Sequence, residues 1–214
     1  LTEFWHLELE EAWVDNKGNM EIQENLVSAM VQQVVRERKD ELALLGRDVD
    51  DLREIVPPFK RVPYSQMIER LQQKNFDISF GADLGAAEER AVTEDEKMPT
   101  FVTNFPKECK AFYMKEDSDD PRTVKCADLL APEGYGEIIG GSERETDHDK
   151  LLARLQQHEI PVEAYQWYLD LMKFGSVSHS GFGLGVERVT RWVCKLEHIR
   201  DAVPFPRTVA RVYP

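Results

Sequence analysis

This sequence predicts an α+β fold, an antiparallel sheet flanked by helices, on three observations. Strand-like runs fall at residues 3–14, 100–105, 110–115, 123–130, 135–140 and 179–185. The runs between 100 and 140 follow one another through turns and loops instead of helical crossovers, which favours antiparallel pairing. Helical periodicity is confined to separate blocks, at 19–45, from 65, at 147–158, at 161–173 and after 185.

The first run alternates. Trp5, Leu7 and Leu9 share one face; Phe4, His6, Glu8 and Glu10 share the other. Successive strand side chains point to opposite faces, so one side reads as core. The acidic side is either solvated or turned towards a ligand. A turn at Asp15-Asn16-Lys17-Gly18-Asn19 leads into a long helix, with Asn19 as N-cap and Ile22, Leu26, Ala29, Met30 and Val34 on one stripe. Gly46 stops it. Pro57-Pro58 and Pro63 bracket a loop, and Ser65 caps a short helix with Met67, Ile68 and Leu71 inward. Residues 81–99 are irregular and Glu-rich and read as a surface insertion with a short helix at 84–91. Glu116-Asp117-Ser118-Asp119-Asp120-Pro121 lacks the spacing of a calcium loop and reads as a hairpin turn. Pro161 suits the start of the helix at 161–173.

The last strand carries the sharpest pattern. Gly181, Gly183 and Gly185 alternate with Phe182, Leu184 and Val186, so one face is bare backbone. Glycine within a strand is unfavourable unless something approaches the backbone closely. That is either a tightly packed neighbour or a flat ligand such as a nucleotide base. Val186, Val189, Val193 and Leu196 then follow helical spacing, which puts Arg188 in a first turn at the rim of the bare surface. A guanidinium there can stack on a base or pair with phosphate. The glycines are not a dinucleotide fingerprint, because Val186 stands at the third glycine position and no βαβ unit surrounds them.

A second constellation runs from Gly134-Tyr135-Gly136-Glu137 to Gly140-Gly141-Ser142-Glu143-Arg144. Glu137 suits a divalent cation, with Asp128 as a second ligand, and Arg144 suits a carboxylate or carbonyl of a small ligand. The alternative is an internal salt bridge beside a glycine-rich turn. Ser178-His179-Ser180 does not make a triad, since neighbouring strand residues point apart.

Composition narrows the classes. The chain has 214 residues, 42% hydrophobic and 31% charged, which is ordinary for a globular protein. Three cysteines without CxxC spacing argue for a reducing compartment, hence a cytoplasmic location, and against a zinc site. No apolar run approaches the roughly 20 residues that span a bilayer. The net charge of −13 repels a nucleic-acid backbone, so an RNA partner would draw most of its affinity from elsewhere in a longer polypeptide. The opening Leu1-Thr2-Glu3-Phe4-Trp5, without an initiator Met, reads as the interior of such a polypeptide.

Together, these stretches resemble the catalytic domain of class II aminoacyl-tRNA synthetases of the aspartyl, asparaginyl and lysyl subgroup. His179-Ser180-Gly181 through Arg188 resembles the third class II signature, Leu1 through Glu8 the end of the second signature's loop and its returning strand, and Phe205-Pro206-Arg207 a subgroup trait. Lys110-Ala111-Phe112-Tyr113-Met114-Lys115 and Gly136-Glu137-Ile138-Ile139-Gly140-Gly141-Ser142 are similar to the asparaginyl branch. The resemblance covers essentially the whole chain and implies one catalytic domain over 1–214, the class II synthetase fold. It lacks its N-terminal side: the first signature, the first strand of the second, and the anticodon-binding barrel.

The resemblance implies ATP bound in a bent form, its adenine between Phe4 and Arg188, with Leu1, Gly185, Val186 and Glu187 lining the nucleotide site. Glu137 resembles the carboxylate that holds Mg²⁺ and ATP, with Asp128 its partner. Arg144 resembles the residue that grips the substrate side chain, with Gly140 and Gly183 beside it. Glu3 would accept the asparagine amide N–H, and Glu8 and Glu10 would face the α-amino group or the metal. The implied partners are L-asparagine, ATP and tRNA(Asn), the last mainly through absent parts, and a second copy in a homodimer; no membrane is implied. The implied activity is an asparagine–tRNA ligase. The alternatives are an aspartyl enzyme, a paralogue that makes asparagine without tRNA, and a non-catalytic nucleotide-binding or interaction module.

Overall fold

In a computed structural model, which describes residues 1–213, the chain forms one six-stranded sheet with helices on both faces. The strands are β1 (His6–Ala12), β2 (Lys60–Pro63), β3 (Thr100–Thr103), β4 (Cys126–Ala131), β5 (Gly136–Glu143) and β6 (His179–Gly185). Their order across the sheet is β1-β6-β5-β4-β3-β2. Every pairing is antiparallel except β2 with β3, which is parallel. The α+β class therefore stands, with one edge strand that the sequence reading took for loop. Four residues ending in proline carry too little pattern to announce a strand, and an edge position tolerates the proline.

Helix α1 (Asn16–Glu37) begins on Asp15, whose carboxylate accepts the Gly18 N–H at 2.8 Å. Asn19 is not the cap: it points inward and donates to the Gly181 carbonyl at 3.0 Å. The helix breaks at Arg38, and α2 (Lys39–Leu44) carries Leu42 into the core before Gly46 turns the chain with φ 70°. A short α3 (Val49–Arg53) follows. These helices cover one face of the sheet, where Val27, Val31 and Leu52 meet Phe101, Leu129, Ile139, Phe182 and Leu184.

On the opposite face, α4 (Tyr64–Gln73) and α5 (Ala86–Thr93) cover only the β2–β4 side, closing on Val102, Cys126 and Leu130. Pro63, not Ser65, occupies the N-cap position of α4, with no side-chain bond. A separate lobe comes from α6 (His148–Gln157), a 3-10 turn at Val162–Tyr165 and α7 (Gln166–Gly175), which close over Phe112 through Leu151, Leu155 and Leu169. Pro161 thus opens a 3-10 turn instead of the helix itself. Residues 110–115 form no strand: Phe112 enters this lobe, while Met114 makes a single bridge to Arg144. Glu116 bridges Val124, so the acidic run between them is a turn. Helix α8 (Val186–Val193) follows β6 directly and buries Trp192 and Val193. What remains uncovered is the β1-β6-β5 part of the second face.

Candidate active site

The register explains the open area. Glu8 pairs with Gly183, Gly183 with Gly140, and Gly140 with Asp128. Directly paired antiparallel residues share a face. One row therefore reads carboxylate, glycine, glycine, carboxylate across four strands about 4.8 Å apart. The next row reads Glu10, Gly181, Ser142, and His6 stands opposite Gly185. The bare face predicted for β6 is the floor of a cleft of about 910 Å³.

Leu1, Phe4, Glu8, Glu137, Gly140, Arg144, Gly183, Gly185, Glu187 and Arg188 all line this cleft. Glu3, Val186 and Asp128 do not. Glu3 turns away to pair with Arg207 at 3.2 Å. Val186 contributes its backbone, donating to the Trp5 carbonyl at 3.0 Å, and leaves its side chain half-exposed. Asp128 is buried at the β4 end of the row that starts at Glu8, ion-paired with Lys110, whose ammonium lies 3.9 Å from the Phe105 ring centroid. Burial pushes the Asp128 carboxyl up to about 6, against the pull of Lys110. Burial also draws the Lys110 ammonium down, but the Asp128 carboxylate outweighs it and holds it above its usual value.

At one end of the cleft, Arg144 spans the floor. Its Nε donates to Glu10 at 3.0 Å, its Nη1 to Ser142 at 2.6 Å, and its guanidinium lies 5.0 Å from the centre of the Tyr113 ring. A Cβ on Gly181 would overlap the Glu10 carboxylate, so glycine there lets Glu10 cross to Arg144. Tyr113, Trp167 and Tyr168 wall this end, supplied by the 110–115 segment and α7.

At the other end, the Phe4 ring tilts on His6 with centroids 4.8 Å apart. Glu187 accepts the Trp5 N–H at 3.0 Å and ties α8 to the chain beside Phe4. Arg188 donates to the Glu137 carbonyl at 2.8 Å and approaches its carboxylate at 3.4 Å. Beneath, Glu89 of α5 accepts the Glu137 N–H at 2.9 Å; burial raises Glu89 to about 7, opposed by that hydrogen bond.

No group of three or more His, Cys, Asp or Glu side chains is poised for a metal among the described residues. Two carboxylates do converge: a Cβ on Gly140 would lie 3.2 Å from Glu137 Oε1 and 3.6 Å from Asp128 Oδ1. Mg²⁺ is characteristically held by one or two carboxylates with the rest from substrate phosphates and water, so this donor pair fits it. Ser180 donates to the Val14 carbonyl at 2.7 Å, and His179 Nδ1 lies 2.8 Å from the Val177 carbonyl oxygen.

Sequence reasoning missed Lys110, Tyr113, Tyr168 and Glu89. The first two lay in a segment misread as a strand, and the other two in helices whose relation to the cleft is tertiary.

Comparison with known proteins adds the following. Residues 1–209 match the family model described as tRNA synthetases class II (D, K and N). The asparagine–tRNA ligase of Thermococcus kodakarensis is 56% identical over 215 residues, covering 100% of this chain and 50% of that protein. Asparaginyl-tRNA synthetase from Pyrococcus horikoshii, solved complexed with asparaginyl-adenylate, superposes with a TM-score of 0.97 at 56% identity, covering 100% of this chain and 49% of that one. An aspartyl-tRNA synthetase from Entamoeba histolytica superposes with a TM-score of 0.86 at 25% identity, covering 99% of this chain and 44% of that one. The chain spans about half the length of the relatives it matches.

Proposed function

The chain belongs to the class II tRNA synthetases of the D, K and N group, and from that premise we propose that it is the catalytic part of an asparagine–tRNA ligase. The observation that carries the proposal is the order of groups along one glycine floor. Phe4 and Arg188 flank one end, Glu137 and Asp128 converge near the middle, and the Arg144–Glu10 pair closes the other. That order matches the parts of an aminoacyl-adenylate, the ligand in the Pyrococcus horikoshii structure. The identity of 56% to asparagine enzymes against 25% to an aspartyl enzyme favours asparagine.

On this reading, adenine lies between the Phe4 ring and the Arg188 guanidinium, which leaves its present contact with Glu137. Arg144 grips the substrate side chain. Glu8 and Glu10 attract the α-amino group. The substrate carboxylate attacks the α-phosphate of ATP and pyrophosphate leaves; the terminal adenosine hydroxyl of tRNA(Asn) then attacks the aminoacyl carbonyl carbon and AMP leaves. No side chain serves as nucleophile; rate comes from positioning. Glu137 and Asp128 would hold Mg²⁺, which when bound neutralises charge developing on the phosphates. Asp128 is released for that role when Lys110 shifts from it. Glu3, now on Arg207, reaches the asparagine amide only if the loop from Leu1 to Trp5 moves. The rest of the reading is a single domain over 1–214, a homodimer, a cytoplasmic location consistent with three free cysteines, and a tRNA held mainly by other parts of the protein. Among the described residues, no helix is long and apolar enough to cross a membrane.

The test is pyrophosphate exchange by the full-length protein with Asn against Asp. Exchange with asparagine is expected. Exchange with aspartate alone would sink the proposal. ATP binding without any exchange would make the chain a nucleotide-binding module.

A further inference from the structure

The segment 81–99 reaches the catalytic face through helix α5. Helix α5 lies along the turn between β4 and β5, and two of its side chains reach that turn. The Arg90 stem lies under Gly134, where a Cβ would come within 3.1 Å of Cγ. The Glu89 carboxylate lies under Gly136, where a Cβ would come within 2.6 Å of Oε2. Both glycines have φ 77°, a left-handed conformation that a side chain disfavours. The turn is thus shaped to let α5 come close.

What α5 holds there is the backbone of Glu137. The register slips just beyond the turn: Leu129 pairs with Ile139 and Leu130 with Glu137, so Ile138 is an extra residue in β5. A bulge of this kind re-aims its neighbours and disturbs the ladder of backbone bonds. Ile138 goes into the core and Glu137 to the cleft. The Glu137 N–H finds its acceptor in Glu89 at 2.9 Å, and its carbonyl accepts from Arg188 at 2.8 Å. One peptide segment is therefore clamped from two helices. The Arg188 side of the clamp opens when that guanidinium turns to a base.

We propose that Glu89 is a positioning residue: it fixes the backbone from which Glu137 projects and so sets the affinity of the site for the divalent cation that accompanies ATP. This rests on the role given to Glu137 above. It assigns a function to the insertion helix, which touches neither ATP nor amino acid on that reading.

The experiment uses full-length protein with Glu89→Ala, Glu89→Asp and Glu89→Gln, measured in two ways. One is hydrogen exchange at the Glu137 amide in ligand-free protein. The other is the Mg²⁺ concentration that half-saturates pyrophosphate exchange. Gln keeps an oxygen at the same reach; Asp keeps the charge but falls short by one methylene; Ala keeps neither. Ala and Asp should speed Glu137 amide exchange and raise the half-saturating Mg²⁺ about 10-fold, the usual scale for losing a group that orients a metal ligand, with the KM for asparagine unchanged. Gln should stay near wild type in both. A Gln variant as impaired as Ala, or an Ala or Asp variant with unaltered Mg²⁺ dependence, overturns the proposal. Should the wild type show no exchange with asparagine, the reading of the site fails separately. Unaltered amide protection in folded Glu89→Asp would then still overturn the clamp.

Discussion

The two ends of the cleft stand on the same strands, β5 and β6, but hold their arginines differently. The Arg144 side chain is 11% exposed and has three partners: Glu10, Ser142 and the face of Tyr113. The Arg188 side chain is 50% exposed and rests on one carbonyl and a longer approach to a carboxylate. Its expected sandwich partner, Phe4, is 55% exposed. A mostly buried guanidinium with several partners is held more firmly, because each broken bond leaves a desolvated group behind. An exposed guanidinium with a weak tether can be recruited at little cost. On the proposed reading, the amino-acid end is therefore the more preformed and the nucleotide end is finished by its ligand. Discrimination between small substrates needs fixed donors and acceptors, whereas every base presents a face on which a ring or guanidinium can stack.

The strongest way to break this contrast is Arg144→Lys. Lysine keeps the charge but loses the planar fork that serves Glu10 and Ser142 together. Losing about 3 kcal/mol of charge-assisted hydrogen bonding lowers asparagine-dependent exchange by about 100-fold or more. The KM for ATP should hardly move. An equal loss in both substrates would mean that the two ends are not independently built.

A finer cut is Gly181→Ala. The added methyl displaces the Glu10 carboxylate, the free end of a half-exposed and flexible side chain, so the fold yields cheaply. What is lost is the Glu10–Arg144 pairing. Asparagine-dependent exchange should fall about 10-fold, in line with roughly 1.5 kcal/mol for one hydrogen bond to a charged group, while the melting temperature stays close to wild type. A large drop in melting temperature would show the pair to be a structural strut and not a receptor part.

Much of this site was legible because its pattern is local. Alternating glycines in 181–185 announce a bare face within one strand, and the change to helical spacing after it locates Arg188. The row Glu8–Gly183–Gly140–Asp128 was not legible, because it depends on the register of four strands that are far apart in sequence. Lys110 and Tyr113 were hidden for a different reason. Lys110-Ala111-Phe112-Tyr113 has strand-like composition, yet its members part to Asp128, the α6–α7 lobe and the cleft. Neighbouring elements decide such a segment, and composition does not report them. The early break of α1 at Arg38 is similar, since the change of direction goes with the entry of Leu42 into the core.

Arg188 sharpens the contrast most, because its removal asks whether the looser end is energetically loose as well. Arg188→Ala removes one half of the proposed adenine site and the donor to the Glu137 carbonyl. Stacking of a guanidinium on a ring at an exposed site contributes about 0.5–1 kcal/mol, and about 2 kcal/mol when the ligand excludes water. The KM for ATP should therefore rise only about 3–30-fold. The KM for asparagine and the melting temperature should stay near wild type, since half of the side chain already lies in water. A calorimetric titration of ATP with the full-length variant separates binding from chemistry. An unchanged ATP affinity would remove Arg188 from the nucleotide site. A loss as deep as that of Arg144→Lys would mean that Arg188 also holds the Glu137 backbone in the working enzyme, making the nucleotide end as preformed as the other.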